Sequence, residues 1–177
     1  MPKKIIAVVS SPRKGNSEML VDQFIAGAKA VGNVTEKICL REYNINYCRG
    51  CGYCMRSGGI CVQKDDMTEI LRKMHESDVI VLSTPVYKSC MCAQLKTLID
   101  RMFAANKTLK NKEFYFIASA ADQRKSIEST MMSMRGCTYV LEGAVIKGEI
   151  YGVNSVMAGD VKDTPAMKEA YDAGRGC

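Results

Sequence analysis

Three strand-length apolar runs constrain this chain more than anything else in it: Ile5-Ile6-Ala7-Val8-Val9-Ser10, Val79-Ile80-Val81-Leu82-Ser83-Thr84 and Phe114-Tyr115-Phe116-Ile117-Ala118-Ser119. None alternates apolar with polar residues, so each reads as a strand buried on both faces, the pattern of a parallel sheet covered by helices on either side. The intervening segments supply those helices. Leu20, Val21, Phe24, Ile25 and Ala28 recur at helical spacing behind Ser17, an expected N-cap, and end near Gly32. Asp65 or Asp66 caps a second helix carrying Met67, Ile70, Leu71 and Met74, and a third runs through Ala93, Leu95, Leu98, Ile99, Met102 and Phe103. Met131, Met132 and Met134 mark a fourth, as core filler, and Pro165 opens a last one through Ala166, Met167, Ala170 and Tyr171. Val34 to Leu40 is a weaker second strand, and Pro85 is expected to stop the strand before it. The last strand is expected between Thr138 and Val145, with Ile146 to Val153 extending it or forming an edge. Strands alternate with helices throughout and nothing repeats, which predicts an α/β fold built on a doubly wound sheet of five parallel strands. Ligands then collect at the carboxyl ends of the strands, near the switch in strand order.

With 47% hydrophobic residues in 177, there is enough apolar material for one domain over residues 1–177. Ile5 to Val9 is too short for a signal peptide's apolar core and reaches Pro12 and Arg13 with no small-residue cleavage site. No run approaches the ~20 apolar residues that span a bilayer. A soluble, cytoplasmic protein with no membrane partner is therefore expected. Nine cysteines, an odd count beside periodic apolar segments, point to metal ligands or reduced thiols rather than a disulfide framework. The formal charge is +6 and Lys107-Thr108-Leu109-Lys110-Asn111-Lys112 is locally basic. Without a nucleic-acid motif or an aromatic stacking platform, that segment reads as a solvated loop and argues against a nucleic-acid partner. His75 is the only histidine and lies late in an amphipathic helix between Lys73 and Glu76, which argues against a His-dependent hydrolase.

The first strand runs directly into Ser11-Pro12-Arg13-Lys14-Gly15-Asn16-Ser17. At the start of a helix, unpaired N–H groups and the helix dipole attract an anion. Ser11 and Ser17 add hydroxyls, Asn16 an amide, and Arg13 a charged fork. The loop has neither the G-x-x-x-x-G-K-[ST] order of a Walker motif nor the G-x-G-x-x-G of dinucleotide sites. No Cys is followed six positions later by Arg, as a phosphatase on a similar sheet would require. A single terminal phosphate fits the loop; an ordinary polar strand-to-helix turn is the other reading.

From Arg41 to Asp65 neither period is sustained, and a connection this long in a compact domain is usually functional. It carries Cys48-x2-Cys51-x2-Cys54-x6-Cys61, with Gly50 and Gly52 permitting close backbone approach to the sulfurs. The spacing suits one [4Fe–4S] cubane, and it differs from a bacterial ferredoxin run because no Pro follows the fourth Cys and no second set exists. Four thiolates also suit a structural zinc, although the x2-x2 triplet is tighter than two separated knuckles. Unligated, reduced thiols are the third reading.

The Ser11–Ser17 loop resembles the phosphate-binding signature of the flavodoxin-like NADPH-dependent FMN reductase family. Thr84-Pro85-Val86-Tyr87 with Gln94-Leu95-Lys96-Thr97-Leu98-Ile99-Asp100-Arg101 looks like that family's second signature. The cysteine motif resembles that of the iron–sulfur flavoproteins, a branch in which a [4Fe–4S] centre passes electrons to FMN. The resemblance covers nearly the whole chain. It implies a flavodoxin-like sheet and non-covalent FMN, with Ser11, Arg13, Asn16 and Ser17 on the phosphate, Pro85, Val86 and Tyr87 along the ring, and Ser119 as a further contact. It implies Cys48, Cys51, Cys54 and Cys61 as cluster ligands, lying beside the flavin or meeting it across a subunit boundary. The flavin carries the redox chemistry, so no catalytic side chain is expected. The implied partners are NAD(P)H or a ferredoxin-like donor, a quinone, oxygen species or other small acceptor, and further copies of the chain in a homodimer or homotetramer. Ser10 stands where the family commonly has Gly, and Lys88, Cys90 and Cys92 where small or aromatic residues are common.

Other readings stay open on the sequence: a cluster-free NAD(P)H-dependent FMN or quinone reductase, an electron-carrier or redox-sensing flavoprotein without turnover, and a zinc-bound interaction domain. Cys90 and Cys92 read as small buried thiols at a helix start, and Asp100 with Arg101 as a structural pair.

Overall fold

The computed structural model describes all 177 residues. Its strands are β1 (Lys4–Val9), β2 (Val34–Cys39), β3 (Val79–Tyr87), β4 (Cys90–Met91), β5 (Glu113–Ser119) and β6 (Val145–Gly152). Five of them pair in parallel in the order β2-β1-β3-β5-β6, and the short β4 runs antiparallel to the end of β3. The helices are α1 (Asn16–Ala30), α2 (Tyr53–Arg56), α3 (Met67–Glu76), α4 (Ala93–Met102), α5 (Arg124–Gly136) and α6 (Pro165–Arg175). The expected doubly wound parallel sheet is therefore present.

Alternation along each central strand builds two cores. Ile6, Val8, Ile80, Leu82, Phe114 and Phe116 point to the α3, α4 and α5 side, where they meet Ile70, Met74, Leu95, Leu98 and Met131. Ile5, Ala7, Val9, Val79, Val81 and Ile117 point the other way, onto Leu20, Val21 and Phe24 of α1 and Ala166 and Ala170 of α6. Burial on both faces explains why these strands read as unbroken apolar runs. Helices α1 and α6 touch through glycine: a Cβ on Gly27 would lie 2.0 Å from the Tyr171 carbonyl oxygen, and one on Gly174 2.0 Å from that of Phe24.

Several sequence expectations shift locally. The last strand is Val145–Gly152, and Thr138 to Ala144 forms turns ahead of it. Pro85 does not stop β3, which continues to Tyr87. β1 has already ended opposite Ser83, so beyond that point one flank of β3 is free and a residue without an N–H is accommodated. The strand then folds back through a two-residue turn, Lys88 and Ser89, both at positive φ (50° and 59°), onto β4. The cysteine loop contains a single helical turn, α2. Of the three α5 methionines Met131 and Met134 are core, while Met132 is 63% exposed.

Candidate functional site

The carboxyl edge of the sheet gathers the predicted flavin residues. Gly15, not Ser17, is the N-cap residue of α1, and no side chain caps the helix, so its first-turn N–H groups stay open. Ser11 Oγ donates to the Arg13 carbonyl at 2.6 Å and accepts from the Arg13 N–H at 3.3 Å, closing the loop on itself. Arg13 is exposed and its guanidinium pairs with no carboxylate of the chain. Gly15 has an extended backbone, φ −169°, which any residue adopts, and a Cβ there would meet nothing within 4 Å. Neither conformation nor packing demands glycine at this N-cap position, and the space around it is open. That cradle fits a phosphate.

With Ser11 spent on Arg13, two further predicted phosphate ligands are also engaged within the chain. Asn16 Nδ2 donates to the Ser155 and Met157 carbonyls at 3.2 and 2.8 Å, and Asn16 Oδ1 accepts the Gly159 N–H at 2.9 Å. Its side chain thus fastens the loop between β6 and α6 to the phosphate loop, and its backbone N–H, in the first turn of the uncapped helix, stays free. Ser17 Oγ and Ser119 Oγ lie 2.9 Å apart and buried, joining the first turn of α1 to the end of β5. Ser119 stands opposite Pro85 in the sheet register. Past it, Val86 is half-buried and Tyr87 is 42% exposed, offering an apolar shelf at the sheet edge.

Below that shelf is a polar lock that the sequence did not announce. Cys92, buried and just before α4, donates its N–H to Thr84 Oγ1 at 3.0 Å, and its sulfur lies 3.0 Å from Ser10 Oγ. Ser10 Oγ in turn donates to the Ser83 carbonyl at 2.6 Å. The hydroxyl at position 10, where glycine was the family expectation, therefore ties β1, β3 and the start of α4 together. Cys90 is exposed, so only Cys92 is the buried thiol expected there.

The cysteine loop lies elsewhere. Cys48, Cys51, Cys54 and Cys61 line one cleft of about 600 Å³, whose other wall is Ile99, Met102 and Phe103 from the end of α4 together with Val140 beyond α5. Gly50 and Gly52 adopt positive φ, 63° and 64°, and the Gly50 N–H points at Cys48 Sγ at 3.5 Å. A fifth thiol, Cys137, shares the cleft, and burial pushes it up to about 12. No three His, Cys, Asp or Glu side chains stand close enough to hold one metal ion. In number and chemistry the four loop thiols fit a cluster, which the glycine-bearing loop would have to close further to hold. The phosphate loop sits where α4 begins and the cysteine cleft where α4 ends, so roughly 15 Å of helix separates them in one chain. Within one chain the phosphate loop and the cysteine cleft thus stand at opposite ends of α4.

What holds the loop there is Arg101. The sequence suggested an Asp100–Arg101 pair; instead Asp100 pairs with Lys96, and Arg101 forms a buried bidentate bridge to Asp65 at 2.7 and 2.9 Å. Burial alone would raise the Asp65 carboxyl, but the Arg101 hydrogen bonds and the Asn46 N–H hold it down at about 2. Asp65 was read only as a helix cap, a role it fills in part by accepting the Met67 N–H at 3.2 Å.

The model of the family described as NADPH-dependent FMN reductase matches residues 3–157. The chain belongs to that family. Within it the chain falls with the iron–sulfur flavoproteins. It is 42% identical over 112 residues to an iron–sulfur flavoprotein of Archaeoglobus fulgidus, covering 62% of this chain and 50% of that one. It is 34% identical over 149 residues to an iron–sulfur flavoprotein of Methanocaldococcus jannaschii, covering 82% and 76%. The chain thus spans half the length of the first relative and three quarters of the second. Among solved structures it resembles an azoreductase from Bacillus anthracis, with a TM-score of 0.77 over 99% of this chain and 100% of that one, at 17% identity, a likeness of fold. No helix of this reductase-family chain is long and apolar enough to cross a membrane.

Proposed function

We propose that the chain binds FMN non-covalently at the carboxyl edge of its sheet and serves as an oxidoreductase. Electrons arrive from NAD(P)H or a ferredoxin-like donor and leave to a quinone or another small acceptor. The observation that carries this reading is the uncapped start of α1, with the space in front of Gly15 open and the free Arg13 beside it. Bound FMN supplies the redox chemistry itself. The protein's part is to hold and shield it. Arg13 and the first-turn N–H groups of α1 would meet the phosphate, with Ser11 holding the loop in shape through its bonds to the Arg13 backbone. Asn16 and the Ser17–Ser119 pair keep that loop in place, and Pro85, Val86 and Tyr87 would cover the ring.

In this reading Cys48, Cys51, Cys54 and Cys61 hold a [4Fe–4S] cluster, supported by the chemistry of the donor set and by the names of the relatives. The length of α4 between the two sites favours exchange between chains, in a homodimer or homotetramer. Both rims carry exposed apolar side chains suited to such contact: Met55, Val62 and Val140 at the cysteine cleft, and Tyr87, Val156 and Met157 near the phosphate loop. A second reading, a cluster-free FMN or quinone reductase, is favoured by the separation of the loop thiols.

One experiment separates the two. The visible spectrum of anaerobically purified protein is recorded before and after NAD(P)H, with iron and acid-labile sulfide assayed on the same sample. Flavin bands with matching iron and sulfide support the first reading, and flavin bands without them support the second. A colourless preparation that takes up no added FMN removes both.

A further inference from the structure

Arg101 lies in the last turn of α4 and is 2% exposed. Its Nη1 donates to the Asn46 carbonyl and to Asp65 Oδ2, both at 2.7 Å, and its Nη2 donates to Asp65 Oδ1 at 2.9 Å. Asn46 precedes the cysteine motif and Asp65 follows it, so one guanidinium closes the loop at both ends. The third donor is different. Arg101 Nε is buried and no protein acceptor meets it.

A buried donor without an acceptor costs about 1–3 kcal/mol, and more when charged. The side chain beside this one is Cys61. The two line a common cleft, and by distance and angle the Cys61 sulfur does not complete a hydrogen bond to Nε. Cys61 also faces the cleft that holds the other three thiols of the motif. It is therefore placed between the metal-ligand set and the unused donor.

We propose that Arg101 is a positioning residue of the cysteine centre, donating its Nε–H to the Cys61 sulfur once that sulfur is a metal-bound thiolate. The inference rests on the reading of the four thiols as one metal centre. A bound thiolate is a better acceptor than a free thiol, and charge-assisted hydrogen bonds are the strong ones. Loading the centre would satisfy the orphan donor and fix the orientation of the fourth ligand. Hydrogen bonds to cluster sulfurs also set reduction potential, because they favour the more negative, reduced state.

The test uses the whole chain. Arg101→Lys keeps the positive charge next to Asp65 but puts a methylene where Nε–H was. Wild type and variant are reconstituted anaerobically with ferrous iron and sulfide, and the midpoint potential is measured by visible titration together with iron content. The expected result is a cluster at wild-type stoichiometry with its potential shifted downward. An unshifted potential at full iron content overturns the proposal.

If the wild type takes up no iron and sulfide, the cluster reading has failed, and Co(II) alone becomes the probe through its thiolate charge-transfer bands. Several-fold weaker Co(II) binding by Arg101→Lys then supports the role of Arg101, and equal binding overturns it. A wild type that binds neither removes both ideas. Should the variant misfold or lose its iron, wild type loaded with Zn(II) decides by NMR. The Arg101 Hε resonance moves downfield on loading if it donates to Cys61, and an unmoved resonance overturns the proposal.

Discussion

Replacing Asp65 with alanine should be among the most damaging single changes outside the core. The side chains of Asp65 and Arg101 are each 1% exposed, so the variant leaves a buried guanidinium with no counter-charge. It also removes the acceptor of the Asn46 N–H at 2.9 Å and of the Met67 N–H at 3.2 Å. Breaking a buried pair from one side costs about 3–5 kcal/mol. Urea slopes run at about 1–3 kcal/mol per molar and rise with size, so at the upper end of that range, which suits a chain of this length, the unfolding midpoint should fall by roughly 1–2 M. Asp65→Leu combined with Arg101→Met should recover most of the loss, since an apolar pair of similar volume carries no stranded charge. The acid limb gives an independent reading. The folded carboxyl at about 2 lies below its ordinary 3.8, so the stabilisation is complete above pH 3.8 and is lost as pH falls through the folded value. At ~1.4 kcal/mol per pKa unit this limb is worth about 2 kcal/mol, and the gap between wild type and Asp65→Ala should narrow by that amount between pH 5 and pH 2. A single-variant cost below about 1 kcal/mol, or a double variant as poor as the two single losses added, would refute the reasoning.

Gly15→Ala should melt within about 0.5 kcal/mol of wild type, because its Cβ meets no protein atom, yet bind FMN at least about tenfold more weakly by fluorescence titration. Unchanged affinity would sink the phosphate site. Gly174→Ala drives a methyl into the Phe24 carbonyl and should cost about 1–3 kcal/mol by urea unfolding, with FMN affinity of the folded fraction preserved. Asn16→Ala removes three hydrogen bonds and should loosen residues 155–159, read as faster amide exchange there with β3 unaffected. Equal exchange in that segment would mean the loop is held by something else.

The sequence by itself determined the sheet and the local motifs. β1, β3 and β5 are covered on both faces, and that demand writes itself as unbroken apolar runs in any reading frame. The phosphate loop and the cysteine spacing were legible because each is contiguous. The edge strand β6 falls on the segment offered as an edge, Ile146 to Val153, but not on Thr138 to Ala144, and its bounds stayed open because Lys147, Gly148 and Glu149 interrupt the apolar pattern of a strand with one covered flank. The hairpin at Lys88 and Ser89 lacks the Asn-Gly pair that announces a turn with two positive φ values. Tertiary structure alone decided the pairings that join distant segments. Arg101 meets Asp65 across 36 positions, Ser17 meets Ser119 across 102 and Asn16 meets Met157 across 141. Such contacts leave no periodic trace, because a partner is chosen by where folded elements come to rest. The same cause carried the cysteine loop, which leaves β2 at the carboxyl edge of the sheet, along to the far end of α4, where the buried Arg101 holds both its ends.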